Sequence, residues 1–166
     1  MEESGRTKGL SEKGERLVRQ LKSFVEEEPW YVSLLPNAAA LIWETLPDLN
    51  WAGFYLIRDG VLALGPFEGK TACIHIPLGK GVCGTAAVKD STLRVPDVHE
   101  FPGHIACDSA SNSEIVIPLH KNGRVIGVMD LDSPSLNRFT AGDQTLLERF
   151  AGVLEENIDL GELSVE

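Results

Sequence analysis

Residues 125–132, Val-Ile-Gly-Val-Met-Asp-Leu-Asp, form a strand-length run that is apolar on both of its alternating faces. A half-exposed strand alternates between apolar and polar residues, whereas a strand that is covered on both sides does not. The run therefore predicts a sheet with other parts of the chain packed on each face. We expect Asp130 and Asp132 to share the face of Ile126 and Val128, because side chains two residues apart point the same way.

Along the chain, two segments with helical periodicity come first, segments joined by hairpin turns follow, and a segment with helical periodicity comes last. Apolar residues at helical spacing predict a first helix that starts near Ser11 and ends before Pro29, and a second helix over residues 38–46. Turn sequences at 58–60 and 121–123 each join two strands into a hairpin. The predicted strands cover residues 51–57, 61–64, 73–76, 93–95, 115–120 and 124–132, with a short helix at 81–89 and a final helix capped by Thr140. This order predicts an α+β fold, in which a central antiparallel sheet has the N- and C-terminal helices packed mainly on one face.

Length and charge limit the classes of function that the chain can have. The chain has 166 residues, a formal net charge of −10 and no apolar run long enough to span a bilayer. We expect a single catalytic domain at residues 11–160, a flexible N-terminus at 1–10 and a C-terminal tail at 161–166. The negative charge argues against nucleic-acid binding, which needs a concentrated basic surface. The charged N-terminal residues lack the apolar core of a signal peptide, so we expect a cytoplasmic protein without membrane association.

The three cysteines match neither a disulfide framework nor a zinc signature, and no Cys-x-x-Cys pair occurs. Cys73, on a predicted strand, and Cys83, at a predicted helix start, are each consistent with either a small buried thiol or a reactive one. Cys107 lies in residues 96–113, a segment without periodicity that is longer than structural loops usually are. Its neighbours include His104 and backbone amides, which stabilise a thiolate. We therefore expect Cys107 to be the reactive thiol.

Three acids, Glu114, Asp130 and Asp132, lie near the ends of two predicted strands that a hairpin joins. Like charges at the end of a buried strand are costly unless a cation, a proton or hydrogen-bond donors meet them. One interpretation is that the strand runs out into solvent at this point. The other is a pocket whose acids receive a ligand ammonium group or, with a raised pKa, donate a proton. Trp51 and Tyr55 share one face of their strand, where they either belong to the core or wall the apolar end of such a pocket.

Three segments in this order and spacing are similar to those of a known family: GKGVCGTAA, PDVHEFPGHIACDSASNSEIVIPL and GVMDLDS. They closely resemble the free methionine-(R)-sulfoxide reductases, which are single GAF domains. The resemblance extends from about Leu34 through the last helix and includes all three cysteine positions of the family. GAF sensor domains share the fold but not these cysteines and acids.

The resemblance implies an L-methionine (R)-S-oxide reductase and assigns a role to each cysteine. Cys107 would attack the sulfoxide sulfur and become a sulfenic acid as methionine leaves. Cys73 would be the principal resolving thiol, which forms a disulfide with Cys107, and Cys83 would be an auxiliary resolving thiol.

The resemblance also implies a substrate site. Glu114, Asp130 and Asp132 would bind the substrate ammonium group and assist protonation of the sulfoxide oxygen. Trp51 and Tyr55 would hold the methyl-sulfur end, and backbone amides of the loop before Cys107 would receive the carboxylate.

Partners follow from the same resemblance. Thioredoxin would reduce the disulfide, with NADPH as the electron source through thioredoxin reductase, and neither a bound cofactor nor a metal is expected. Because this family is often dimeric, a homodimer is one expectation. The main alternative is a non-enzymatic GAF module that senses a small molecule or redox state. A protein-thiol oxidoreductase is disfavoured by the lack of a Cys-x-x-Cys pair.

Overall fold

The computed structural model describes residues 9–105 and 107–163. The parts of the predicted flexible ends that cover residues 1–8 and 164–166 lie outside the described residues. The elements in chain order are α1 (Glu12–Glu27), α2 (Tyr31–Thr45), β1 (Trp51–Arg58), β2 (Val61–Gly69), β3 (His75–Pro77), α3 (Gly81–Lys89), β4 (Leu93–Val95), β5 (Ser113–Lys121), β6 (Arg124–Ser133) and α4 (Ala141–Asn157).

These strands form one antiparallel sheet in the order β3-β2-β1-β6-β5-β4. Asp59-Gly60 and Asn122-Gly123 turn the β1–β2 and β5–β6 hairpins, and all four residues have the positive φ that a tight hairpin turn favours. β1 and β6 lie side by side at the centre, so the first and the last strands of the sheet become neighbours. The predicted α+β architecture is confirmed.

The two faces of the sheet pack against different elements. α1, α2 and α4 cover one face, where Phe54, Met129 and Phe150 belong to a large apolar core. α3 and the connection between β4 and β5 cover the other face, in a smaller core that contains Val82 and Val116. Both faces of β6 are therefore buried, as its sequence predicts.

The ends of two helices follow local sequence rules. Ser11 Oγ accepts a hydrogen bond from the backbone N–H of Gly14 at 3.1 Å, which caps α1. Thr140 and Asp143 form a reciprocal capping box at the start of α4. Both predicted starts are confirmed. Over residues 9–105 and 107–163, each helix is too short or too polar to cross a membrane.

α2 begins at Tyr31 rather than at residue 38, and Pro36 lies inside it. Proline lacks a backbone donor and usually marks a helix boundary. Leu34, Leu35 and Ala38 are nevertheless buried in the large core around Pro36. The burial of these side chains outweighs one lost hydrogen bond, so the predicted boundary was wrong.

The sheet edge next to β2 also differs from prediction. β2 continues to Gly69 instead of residue 64, and β3 begins at His75 instead of residue 73. The Tyr55 hydroxyl donates a hydrogen bond to the carbonyl oxygen of Cys73 at 2.9 Å. Cys73 is held by a side chain in the connection before β3, and the prediction that it lies on a strand was wrong.

A shift in the β5–β6 register changes the side on which Ile126 packs. Ile126 belongs to the helix-covered core, whereas Val128 belongs to the opposite one. A β-bulge breaks the alternation of a strand, so Ile126 does not share a face with Asp130 and Asp132 as the simple period of two predicted.

In the described part of the connection from β4 to β5, the one regular element is a 3-10 turn, Val98–Glu100. The backbone N–H of Val98 donates to the carbonyl of Asn112 at 2.9 Å, and that of Asn112 donates to Ser133 at 2.8 Å. These bonds tie the two ends of the loop to each other and the second end to β6, while Phe101 and Ile105 of the loop pack against the smaller core.

Candidate active site

Three acids meet on the α3-covered face of the sheet. Glu114 on β5 pairs with Asp132 on β6, which pairs in turn with Trp51 on β1. Asp130 lies two residues before Asp132 on the same face. Glu114 and Asp130 are buried and Asp132 is half-buried. The strand therefore does not run out into solvent at these residues, and the acids line a pocket.

Aromatic rings form the wall beside the acids. Trp51 stacks on Tyr55 with ring centroids 5.8 Å apart and on Phe67 with centroids 5.2 Å apart. Gly53 lies between Trp51 and Tyr55 on β1, and a Cβ built on it would lie 2.4 Å from Cβ of Phe67. The missing side chain at Gly53 is what lets Phe67 approach the indole.

α3 places the side chain of Cys83 next to the acids. Cys83 is buried, and its Sγ lies 4.0 Å from Oε2 of Glu114. A Cβ on the next residue, Gly84, would lie 2.5 Å from the carbonyl oxygen of Pro77. The glycine therefore lets α3 pack closely against the end of β3.

A disulfide joins Cys73 to Cys107 at the edge of the pocket. The two cysteines are separated by 34 residues in the sequence and both are half-buried. Cys107 comes from the long loop, and Cys73 is held from below by the Tyr55 hydroxyl. The pairing is the one that the family resemblance implies.

Burial raises the pKa of all three carboxyls above their ordinary values. The charge of Asp130 raises the pKa of Glu114 and Asp132 further, while hydrogen bonds from Glu114 and Cys83 offset part of the rise at Asp130. Burial and neighbouring negative charge both disfavour the ionised forms, so the cluster favours a shared proton among its carboxyls. Burial and then the nearby acids also raise the pKa of the Cys83 thiol.

Several buried polar atoms lack a hydrogen-bond partner in the part of the chain that the structure describes. Those on residues lining the pocket are Trp51 Nε1, Asp130 Oδ1 and Asp132 Oδ1. Buried polar atoms are almost always paired, since leaving them unpaired costs free energy. The indole N–H can donate a hydrogen bond, and the two carboxyl oxygens can accept one. Together they match a ligand that has both a hydrogen-bond acceptor and a cationic hydrogen-bond donor.

The cavity between these groups has a volume of about 40 Å³. That is room for roughly three water molecules. Lys80 and His104 lie at its rim. Burial, with a smaller effect of His99, lowers the pKa of His104, so its imidazole is neutral at neutral pH.

The fold brings the residues singled out in the sequence to one place. Seven of them line the cavity: Trp51, Tyr55, Cys83, Cys107, Glu114, Asp130 and Asp132. The eighth, Cys73, is bonded to Cys107.

Known proteins share this arrangement of chain. The family model for the GAF domain matches residues 33–159. The chain is similar to the free methionine-R-sulfoxide reductase of Escherichia coli, with 49% identity over 140 residues that cover 84% of this chain and 85% of that protein. It is also similar to the free methionine-R-sulfoxide reductase of Saccharomyces cerevisiae, with 42% identity over 151 residues that cover 86% of this chain and 84% of that protein. The X-ray structure of free methionine-R-sulfoxide reductase from Neisseria meningitidis in complex with its substrate has a TM-score of 0.85 at 39% identity, covering 94% of this chain and 95% of that chain.

The chain belongs to the GAF-domain family of free methionine-R-sulfoxide reductases. The resemblance drawn from the three sequence motifs and the predicted GAF fold are both confirmed. In this GAF domain the terminal helices cover one face of the sheet, and the cysteines and acids lie on the other.

Asn50 is a residue of this GAF domain's site that the sequence motifs did not reveal. Its Nδ2 donates to Oδ2 of Asp108 and to Oγ of Ser111, each at 3.0 Å, and its backbone N–H donates to the carbonyl of Asp132 at 2.9 Å. The loop that carries Cys107 is thereby tied to the strand end that carries Asp132. An asparagine just before a strand is also an ordinary turn former, so nothing in the sequence distinguished it.

Proposed function

We propose that the protein is an L-methionine (R)-S-oxide reductase, which converts free L-methionine-(R)-S-oxide to L-methionine with two of its own thiols. The observation that carries the proposal is the Cys73–Cys107 disulfide beside three acids with raised pKa. Reduction of a sulfoxide needs a thiol that can be oxidised and an acid that can protonate the departing oxygen. Both occur together at this pocket.

The acids bind the substrate's ammonium group. Glu114, Asp130 and Asp132 converge on one cavity, and Asp130 and Asp132 each keep an oxygen without a partner among the described residues. Trp51 and Tyr55 hold the methyl-sulfur end against their rings. Backbone amides of the loop before Cys107 receive the carboxylate. Methionine sulfoxide inside a polypeptide has amides in place of both charges, so this site favours the free amino acid.

The redox steps balance with two thiols and no other reductant. The Cys107 thiolate attacks the sulfoxide sulfur while a neutral carboxylic acid of the cluster protonates the oxygen. The hydroxyl then passes from the methionine sulfur to Cys107, which breaks both the S–O bond of the substrate and the new sulfur–sulfur bond, so that Cys107 becomes the sulfenic acid and the methionine sulfur is reduced to the thioether. Cys73 then attacks the sulfenic sulfur, the S–S bond forms, and the oxygen leaves as water.

Cys83 serves as an auxiliary resolving thiol. Its buried position against Glu114 and Asp130 raises the pKa of the thiol, which slows its attack on a sulfenic acid relative to a thiol with an ordinary pKa. Cys73 is therefore the principal partner of Cys107.

Thioredoxin returns the disulfide to two thiols, with electrons from NADPH through thioredoxin reductase, and the protein itself binds no cofactor. A reaction that depends on this system belongs to the reducing cytoplasm. The catalytic unit is residues 11–160. A homodimer is compatible with the mechanism, because every residue assigned to it comes from a single chain.

The proposal is tested by coupling the protein to thioredoxin, its reductase and NADPH. NADPH loss is followed with free methionine-R-sulfoxide, the free S epimer and a sulfoxidised peptide. We expect turnover with the free R epimer alone and none after Cys107→Ser. Cys73→Ser should release one stoichiometric equivalent of methionine and then show little thioredoxin-dependent recycling, because only the slower thiol of Cys83 is left to resolve the Cys107 sulfenic acid.

Other outcomes would point elsewhere. Binding of the R epimer without turnover would make this a sensing GAF domain. Full recycling by Cys73→Ser would show that its role as the principal resolving thiol is wrong.

A further inference from the structure

One buried cluster, formed by Cys83, Glu114 and Asp130, offers one sulfur and two oxygen ligands at a single point. One ligand atom of each residue lies within 4.8 Å of the other two. The residues come from α3, β5 and β6 and are far apart in the sequence. Zinc signatures are recognised by short ligand spacings, so the sequence-based expectation of no metal had no means to find this group.

The two carboxyls of this cluster have no ion-pair partner among the described residues, 9–105 and 107–163. Cys83, Glu114 and Asp130 are 5%, 6% and 4% exposed. Oδ1 of Asp130 also lacks a hydrogen-bond partner in the described part of the chain. Buried carboxylates without a cation are costly, and a dication would meet both at once.

We propose that the reduced protein binds one zinc ion through Cys83, Glu114 and Asp130. Zinc takes a thiolate at about 2.3 Å and a carboxylate oxygen at about 2.0 Å, so a tetrahedral site places sulfur and oxygen roughly 3.5 Å apart. Cys83 Sγ and Glu114 Oε2 are 4.0 Å apart, so a small side-chain movement completes the geometry. The thiol proton and any proton held by the two carboxyls are released to solvent, and water takes the fourth position.

Zinc bound there inhibits turnover, because it occupies the carboxyls that would otherwise receive the substrate ammonium group. This part rests on the proposed function, whereas the metal binding does not. Mg²⁺ does not substitute for zinc, since it prefers octahedral oxygen sites and a thiolate is too soft a ligand for it.

The binding is tested with Co²⁺ on tag-free protein that carries Cys73→Ser and Cys107→Ser, so that Cys83 is the remaining thiol. We expect one Co²⁺ per chain with thiolate-to-cobalt charge-transfer absorption, which equimolar Zn²⁺ removes and a large excess of Mg²⁺ does not. Adding Cys83→Ser should abolish the absorption. Adding Asp130→Asn should weaken Co²⁺ binding by roughly tenfold or more.

His120→Gln on the same background is the matched control. His120 hydrogen-bonds to Asp90 and Glu155 and is not one of the proposed ligands. This variant should keep the absorption unchanged. Absence of the absorption, its survival in Cys83→Ser, or equal competition by Mg²⁺ would each overturn the site.

Two further readouts keep the test decisive. If Cys83→Ser does not fold by circular dichroism, the Tm of the double variant replaces it, and the site predicts a rise with Zn²⁺ and none with Mg²⁺. Wild-type protein that binds no cobalt but reduces the R epimer would overturn the metal site alone. A protein that binds cobalt but fails to turn over without metal would overturn the proposed function alone.

Discussion

Asn50 ties the reactive loop to the sheet through one side chain. Its amide nitrogen bonds to Asp108 and Ser111, which flank the turn after Cys107. A displacement of about 1 Å at a reacting group costs roughly a hundredfold in rate. The position of the Cys107 sulfur thus depends on a residue that takes no part in the redox steps.

We expect Asn50→Ala to lower kcat/KM for free methionine-R-sulfoxide by roughly ten- to a hundredfold, because the loop loses both bonds. The far-ultraviolet circular dichroism should stay unchanged. Asn112→Ala, which removes one side-chain bond to Pro134 in the same loop, is the control and should have a much smaller effect. Equal losses in the two variants would mean that Asn50 has no special role.

The acid cluster makes stability depend on pH in a defined direction. The pKa of Asp132 in the folded protein is raised above its ordinary value of 3.8. At a pH between 3.8 and the raised pKa of the folded protein, Asp132 is protonated more often in the folded protein than in the unfolded chain. The free energy of unfolding contributed by this group therefore falls as pH rises above 3.8.

In Asp132→Asn the free energy of unfolding should fall less steeply as pH rises, and it should be higher near neutral pH than in the wild type. Urea unfolding of the disulfide form at about pH 5 and about pH 7 measures it. Asp97→Asn is the control, because hydrogen bonds from His99 lower the pKa of Asp97 below 3.8, so that its contribution is complete at both pH values and its loss should leave the slope between them unchanged. A steeper fall in Asp132→Asn than in the wild type would contradict the assignment.

The sequence singled out candidate site residues where chemistry leaves an unusual local pattern, and these residues line one pocket. Asp130 and Asp132 stood out because they interrupt an apolar strand, and Cys107 because it lies in a polar loop. Asn50 and Phe67 did not stand out, since an asparagine before a strand and a phenylalanine within one are ordinary. Their roles arise only when the loop and β2 come together around β1.

At the scale of elements, most starts and turns could be predicted because short-range rules decide them. The Thr140 capping box and the Asn122-Gly123 turn are examples. The failures occurred where distant contacts override those rules. Pro36 is tolerated because its helix is buried, and Ile126 changes face because the strand contains a bulge.

Gly127 is predicted to control the closeness of β1 and β6. A Cβ built on it would lie 2.2 Å from the carbonyl oxygen of Tyr55. We expect Gly127→Ala to force the two strands apart and lower the free energy of unfolding by about 1–3 kcal/mol. Urea unfolding followed by circular dichroism measures the change.

Gly152→Ala is the matched control, because a Cβ at this position in α4 meets nothing within 4 Å. Alanine is the better helix former, so this variant should gain roughly 0.5–1 kcal/mol. Stability changes of the same sign in both variants would show that the contact at Gly127 does not limit strand packing.

At the scale of the whole molecule, the two faces of the sheet have separate tasks. The large core under α1, α2 and α4 supplies most of the buried apolar side chains. The opposite face contains the buried acids, the free thiol and the disulfide. The free energy gained in the large core offsets the cost of the charged and unpaired groups on the opposite face, which would otherwise destabilise so small a protein.

The disulfide is predicted to set the stability of the whole fold. It closes a loop of 34 residues, which corresponds to about 4 kcal/mol of lost unfolded-state entropy. We expect a higher Tm for the disulfide form than for the reduced form. Thermal melts with and without dithiothreitol measure the difference.

Cys83→Ser should preserve this difference and Cys73→Ser should abolish it, since only the latter removes a partner of the bond. A difference that survives in Cys73→Ser would mean that another cysteine pair provides the cross-link.

The small volume beneath the disulfide also dictates an order of events. The enclosed volume is about 40 Å³ once the sulfur–sulfur bond has closed, and we expect methionine to have left by that stage. The amino acid would then depart before the electron donor arrives, and the two would not occupy the protein together. Such a cycle is ping-pong, and double-reciprocal plots at several thioredoxin concentrations should give parallel lines.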